Sequence, residues 1–258
     1  MKKLVIFDLD GTLAESKAIV DSEMFALLVG LLKIVRVAVI SGADWPQFEE
    51  QMLSLPFPPE LLPHLTLLPT CGTKFYEYRD GWQELYSEEL GVLDKERIVA
   101  ALQSVIDILG FRPSESWGKI IEDRGSQITF SALGQQAPLE FKVLWDPDFA
   151  KRKGMVMLLM QLIPDFSIRV GGSTSIDITL PGIDKAFGVR KLRDAYGVQE
   201  AEMIFIGDAI FPGGNDYPVA QMGLQTIQVK SPYETKRVVE GIIAALCTDE
   251  KIVEYLTV

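Results

Sequence analysis

Histidine and cysteine are scarce in this chain of 258 residues, which has one His and two Cys. Cys71 and Cys247 stand far apart with no CxxC spacing, so a disulfide framework and a thiolate zinc site are excluded. Cys71 has Glu77 rather than Arg six positions on, so it lacks the phosphate loop of a cysteine-dependent phosphatase. His64, in Leu61-Leu62-Pro63-His64, reads as an ordinary loop or core histidine. Long apolar runs are scarce as well. The run Leu4-Val5-Ile6-Phe7 stops at Asp8, too soon for a secretory core, and Phe25 to Ile40 is broken by Lys33 and Arg36. No membrane span is expected, and a soluble, cytoplasmic chain is. Positive charge is short: 25 Lys plus Arg against 36 Asp plus Glu give a net charge of -11. That excess argues against nucleic acid or an acidic membrane surface as the main partner. A phosphorylated ligand stays open, because a bound divalent cation reverses the local sign.

What is present is an apolar fraction of 48%, enough for a real core. At roughly 100–200 residues per domain, the length suggests one large domain or two modest ones. Lys3 to Phe7 reads as a strand covered on both faces, residues 19–33 as a helix, and 35–40 as a second strand. Helix 184–196, strand 203–206, helix 215–222, strand 224–229 and helix 232–246 repeat that α/β logic. The middle reads differently. A hairpin over 74–79 and 82–87 leads to helix 94–109, strands 119–122 and 127–133, helix 148–163, and strands 167–170 and 175–180. The expectation is an α/β Rossmann-like parallel-sheet core over 1–86 and 184–258, carrying an inserted α+β domain at 87–183.

Four short segments fall at strand ends or helix starts, the places that line one crevice of a doubly wound sheet. They are Asp8-Leu9-Asp10-Gly11-Thr12, Ser41-Gly42, Lys185, and Gly207-Asp208 with Asn215-Asp216 beyond. Asp8 and Asp10 can bring two carboxylates to one cation, and Asp208 adds a third. An all-oxygen donor set suits a hard ion, Mg²⁺ before Zn²⁺. A carboxylate can also attack phosphorus and form an aspartyl phosphate. Ser41 and Lys185 could hold the oxygens of the transferring group, and the turn glycines let backbone N–H groups approach them.

These segments, in this order, resemble the four motifs of the haloacid dehalogenase (HAD) phosphotransferase superfamily. Phe211-Pro212-Gly213-Gly214-Asn215-Asp216 and Gly171-Gly172…Ser175-Ile176-Asp177…Gly182-Ile183-Asp184-Lys185 further resemble the eukaryotic-type phosphomannomutases. The resemblance implies a Rossmann-like HAD core with a cap that closes over it. It implies Asp8 as nucleophile and Asp10 as general acid/base. Metal contacts fall to Asp8, Asp10 through its carbonyl, and Asp208, with Asn215 or Asp216 in support. Ser41, Gly42 and Lys185 would bind the phosphoryl group. Lys17, Arg124, Ser175 and Asp177 would bind substrate, a small phosphorylated sugar, and a homodimer is compatible. The family's mutases grip a distal phosphate with three cap arginines. Arg124 matches one, Arg112 is taken for a second, Lys142 is a further cation, and the third position is assigned to Ser131. The lost guanidinium makes a sugar-phosphate phosphatase the first expectation, phosphomannomutase the alternative, and a non-catalytic phospho-sugar sensor the third.

Overall fold

In a computed structural model the described residues are 1–113 and 115–247. Strand β1 (Leu4–Phe7) is buried on both faces, as its unbroken apolar run requires. Val5 and Phe7 face one way, Leu4 and Ile6 the other, so each strand feeds two cores. The first core joins Val5, Phe7, Val37 and Val39 to Met24, Leu28 and Leu31 of α1 (Ser22–Leu32) and Val239 and Ile243 of α8 (Pro232–Leu246). The second joins Leu4, Ile6, Ala38 and Ile40 to Val189 and Leu192 of α6 (Lys185–Tyr196) and Val219 of α7 (Tyr217–Gln221).

Among the described residues, a seven-stranded sheet runs β11-β10-β1-β2-β3-β4-β5. Its other strands are β2 (Arg36–Ile40), β3 (Leu65–Leu68), β4 (Lys74–Tyr78), β5 (Trp82–Ser87), β10 (Met203–Gly207) and β11 (Gln225–Gln228). The five strands from β11 to β3 pair in parallel, and β4 returns antiparallel to β3. The carboxyl ends of β1, β2 and β10 therefore lie side by side. Phe7 stands opposite Ile206 on one side and Val39 on the other.

The chain divides into two compact units. One holds 1–86, 185–211 and the described residues from 216 on, and the other holds 87–184 with 212–215. The second unit has a four-stranded antiparallel sheet ordered β6-β7-β9-β8. Its strands are β6 (Ile121–Asp123), β7 (Gln127–Ser131), β8 (Ser167–Val170) and β9 (Ser175–Thr179). Ile128, Phe130, Ile176 and Ile178 pack on Leu102 and Val105 of α3 (Val92–Leu109) and Met155 and Leu159 of α5 (Ala150–Leu162). By strand alternation the other sheet face carries Gln127, Thr129, Ser131, Ser175, Asp177 and Thr179. Thr129 stands opposite Asp177, and Ser131 opposite Ser175.

Several boundaries differ from the sequence reading. Helix α1 begins at Ser22, because Asp21 caps it by accepting from the Met24 N–H at 2.9 Å, and Ile19 is left exposed. Strand β3 was not foreseen. It is four residues set close between Pro63 and Pro69, too short for a period to show. Helix α4 (Leu139–Trp145) was missed too, its apolar residues being largely exposed. Helices α2 (Trp45–Phe48) and a π-turn at Glu49–Leu53 follow β2.

Gly72 couples the loop after β3 to α6. It has φ +87°, and a Cβ there would lie 2.4 Å from the Gly188 Cα. Gly72→Ala is expected to cost about 2–4 kcal/mol, from a strained backbone plus overpacking against main chain that cannot swing aside. Thermal unfolding measures it, and a loss below about 0.5 kcal/mol, the ordinary surface range, would contradict the close approach.

Candidate active site

Asp8 follows β1, and its N–H continues the ladder to the Ile206 carbonyl at 2.9 Å. Asp208 follows β10, Lys185 opens α6, and Asp216 precedes α7. These four side chains meet. Lys185 Nζ lies 2.5 Å from Asp8 Oδ1 and 2.6 Å from Asp216 Oδ1, with all three residues buried. Asp216 Oδ2 also accepts from the Ala209 N–H at 3.0 Å, which fixes its plane. Oxygens of Asp8, Asp208 and Asp216 all fall within 4.8 Å of one another.

Glycine permits this crowding. Gly11, at φ +84°, passes so close that a Cβ would sit 2.7 Å from Asp208 Oδ2, and a Cβ on Gly207 would strike the Asp216 carboxylate.

The electrostatics follow from burial. Desolvation holds the Asp8 carboxyl well above the ordinary carboxylate range; Asp216 and Asp208 push the same way, and Lys185 opposes them. Asp208 is raised by burial first and by Asp216 next. Burial works against charge on Lys185 too, yet Asp216 and Asp8 outweigh it and hold its ammonium above the ordinary lysine value. Three carboxylates against one ammonium are short of two positive charges when all are ionised. A divalent ion fits that deficit, and three carboxylate oxygens are the donors a hard cation takes. No histidine or cysteine joins the set among the described residues.

The Asp10 carboxylate lies outside that trio. Its Oδ1 accepts from the Lys17 backbone N–H at 2.6 Å and from Gln51 Nε2 at 3.2 Å, and its Oδ2 accepts from Gln47 Nε2 at 3.2 Å. Lys17 thus meets Asp10 through its backbone, at φ 60°. Gln47 and Gln51 were missed by the sequence reading. Their four-residue spacing on α2 and the π-turn was visible, but their partner lies 37 and 41 residues away.

Ser41 is buried at the end of β2. Its N–H donates to the Leu68 carbonyl at 3.2 Å, and its Oγ accepts from the Ala43 N–H at 3.1 Å. That use of the oxygen leaves the hydroxyl proton to donate. Gly42 continues the same turn.

The remaining sequence candidates belong to the second unit, Asn215 among them. Asp177 Oδ1 accepts from Thr129 Oγ1 at 2.8 Å and Gln127 Nε2 at 2.9 Å. Ser175 heads the same strand. Arg124 and Lys142 converge on one residue: Arg124 donates to Gln135 Oε1 at 3.3 Å and Lys142 to the Gln135 carbonyl at 3.4 Å, both cations being buried. Arg124 also pairs with Glu122 at 2.7 Å. Arg112 does not share these contacts; it is exposed and pairs with Asp107 at 2.8 Å. Ser131 is buried in β7. Gln135 is thus the residue between the two cations, one that no charge pattern singled out.

Among the described residues, no helix is long and apolar enough to cross a membrane. The chain is similar to the phosphomannomutase of Encephalitozoon cuniculi, 29% identical over 93% of each chain. It is also similar to that of Schizosaccharomyces pombe, 28% identical over 84% of this chain and 85% of the relative. Among solved structures, a haloacid dehalogenase-like hydrolase from Bacteroides thetaiotaomicron shares the fold with a TM-score of 0.60, 17% identity, and coverage of 94% of this chain and 100% of its own. The IMP-nucleotidase of Plasmodium falciparum does so at 0.71 and 14%, over 94% and 68%. A family profile described as eukaryotic phosphomannomutase matches residues 24–245. With that match spanning most of the chain and the HAD fold around the buried aspartates, the chain belongs to the eukaryotic phosphomannomutase family of phosphoryl-transfer enzymes.

Proposed function

We propose that this chain is a Mg²⁺-dependent phosphomannomutase that moves a phosphoryl group between the 1- and 6-hydroxyls of mannose through an aspartyl phosphate on Asp8. The observation that carries the reading is the buried Asp8–Lys185–Asp216 chain, set in a sequence that matches the family over residues 24–245. The family match favours this reading over the phosphatase that the sequence alone put first.

The residues divide the work. Lys185 holds one Asp8 oxygen, and the other attacks one phosphorus of a hexose 1,6-bisphosphate, leaving a monophosphate held by its other phosphate. The bond from phosphorus to the sugar oxygen breaks, and that oxygen takes a proton from Asp10. In the return step the free hydroxyl of a hexose monophosphate bound in the opposite orientation gives its proton to Asp10, attacks the phosphoaspartate, re-forms the bisphosphate and releases Asp8. Gln47, Gln51 and the Lys17 N–H keep the Asp10 carboxylate in one orientation. Ser41, Gly42 and Lys185 bind the oxygens on which charge develops. Asp8, Asp208 and Asp216, with the Asp10 carbonyl and Asn215 close in sequence, would hold Mg²⁺, which supplies positive charge against the phosphoryl group. Ser175 and Asp177 take sugar hydroxyls, and Arg124 with Lys142 takes the distal phosphate. A small phosphosugar and an acidic chain suit a cytoplasmic enzyme.

Hydrolysis is the competing outcome, and the two cations on Gln135, where the mutases use three arginines, favour it. Mannose 1-phosphate with a trace of hexose 1,6-bisphosphate, followed by phosphorus NMR, decides between them. The expected result is mannose 6-phosphate without free phosphate, abolished by EDTA. Free phosphate alone would retire the mutase.

A further inference from the structure

Arg152 heads the largest side chains that are fully buried, at 1% exposure. A guanidinium is almost never placed there unless something holds it and it holds something. Its main partner is Asp146, also buried, which accepts from Arg152 Nε at 2.8 Å and from the Arg152 N–H at 3.2 Å. Asp146 is itself fixed by the Lys151 N–H at 2.9 Å. The Phe149 ring lies 4.7 Å from the guanidinium carbon. The far end of the fork reaches two consecutive carbonyls: Nη1 donates to Gly171 at 3.4 Å and, more closely, to Gly172.

Those glycines back the two residues assigned to the sugar. A Cβ on Gly171 would lie 2.8 Å from Asp177 Oδ2 and 2.9 Å from Ser175 Oγ, and the Gly171 N–H donates to the Ser175 carbonyl at 2.9 Å. Asp177 cannot retreat, because its other oxygen is held by Thr129 and Gln127. A contiguous path therefore runs from Asp146 through Arg152 and the Gly171–Gly172 backbone to Ser175 and Asp177.

We propose that Arg152 is a positioning residue for sugar recognition: paired with Asp146, it locks the Gly171–Gly172 backbone against which Ser175 and Asp177 are set. The inference rests on the reading of Ser175 and Asp177 as sugar contacts. Lysine cannot replace it, since a point charge does not span a carboxylate and two carbonyls.

The experiment compares mannose 1-phosphate with an aryl phosphate that has no sugar hydroxyls. Arg152→Lys is expected to lower kcat/KM on the sugar phosphate about 10-fold or more, chiefly through KM, while aryl phosphate turnover stays within about twofold. Added to the Ser175→Ala/Asp177→Asn background, Arg152→Lys is expected to have little further effect on the sugar phosphate, because both changes act on one contact. Equal loss on both substrates, or full additivity in that background, overturns the inference and leaves a purely structural ion pair. Should Arg152→Lys fail to fold, Gly171→Ala decides. It introduces no buried charge and presses on the same two side chains, so the same KM effect is expected, and an unchanged KM overturns the proposal. A wild-type chain inert on every hexose phosphate overturns the underlying reading. An active wild type with an indifferent Arg152→Lys overturns this inference alone.

Discussion

Asp8→Asn is expected to lower phosphoryl transfer by about 10⁴-fold or more while leaving the fold intact, because the amide keeps the shape but is no nucleophile. The two effects separate for an electrostatic reason. Asp8 is buried, and its charge is opposed first by desolvation and then by Asp216 and Asp208, with Lys185 in partial compensation. Removing that charge relieves repulsion inside the cluster, and Lys185 keeps Asp216 at 2.6 Å. A carboxyl raised on folding binds its proton more tightly in the folded state than in the unfolded one. Its contribution to stability is therefore favourable at low pH and is lost as pH rises above about 4, the ordinary Asp value. In EDTA, the melting midpoint of Asp8→Asn should gain on wild type between pH 5 and pH 8. Turnover within tenfold of wild type would remove Asp8 from the role of nucleophile.

The grouping of the core residues was legible because each sits at a strand end and the strands pair in parallel, even though β10 crosses over to lie beside β1. Asp8, Ser41 and Asp208 each end a strand whose apolar run is plain, and parallel pairing puts those ends together. Lys185 was legible as a helix start, but its burial between two carboxylates was not, since a lysine in a sequence looks the same solvated or enclosed. Gln47 and Gln51 were invisible for a related reason: an amide becomes informative only when its partner is known. Strand β3 was hidden by its length and by the prolines near its ends. In the second unit the sheet could be read from alternation in β7 and β9, whereas the cation grouping could not. Arg112, close in sequence to Arg124, turns to Asp107, and Lys142 arrives from a helix that no period announced. Arg152 gave no sign at all, because Asp146 and Arg152 flank a stretch that reads as an ordinary charged helix start.

Lys185→Met is expected to cost about 3–5 kcal/mol in EDTA, the usual penalty for leaving buried charge unpaired, and to lower the melting midpoint by about 10 °C. The methionine fills much of the same volume, so the loss reports charge rather than a cavity. What remains is three carboxylates with oxygens within 4.8 Å and no cation among them. Two further measurements separate this account from a general failure to pack. Asp216→Asn in the Lys185→Met background removes the carboxylate that has lost its partner, and it should recover a large part of the stability, a coupling that independent sites do not show. Excess Mg²⁺ should also recover part of it by binding the folded state, and more at pH 8 than at pH 5, where protonated carboxyls no longer ligate. Neither rescue should restore phosphoryl transfer, because the ammonium that holds Asp8 at 2.5 Å, and that the proposed mechanism sets against the transferring group, is absent in both. A Lys185→Met protein that melts within about 2 °C of wild type in EDTA would mean that the cluster sheds its charge by protonation instead. Lys185 would then be a catalytic group only, and not the ion that holds the site together.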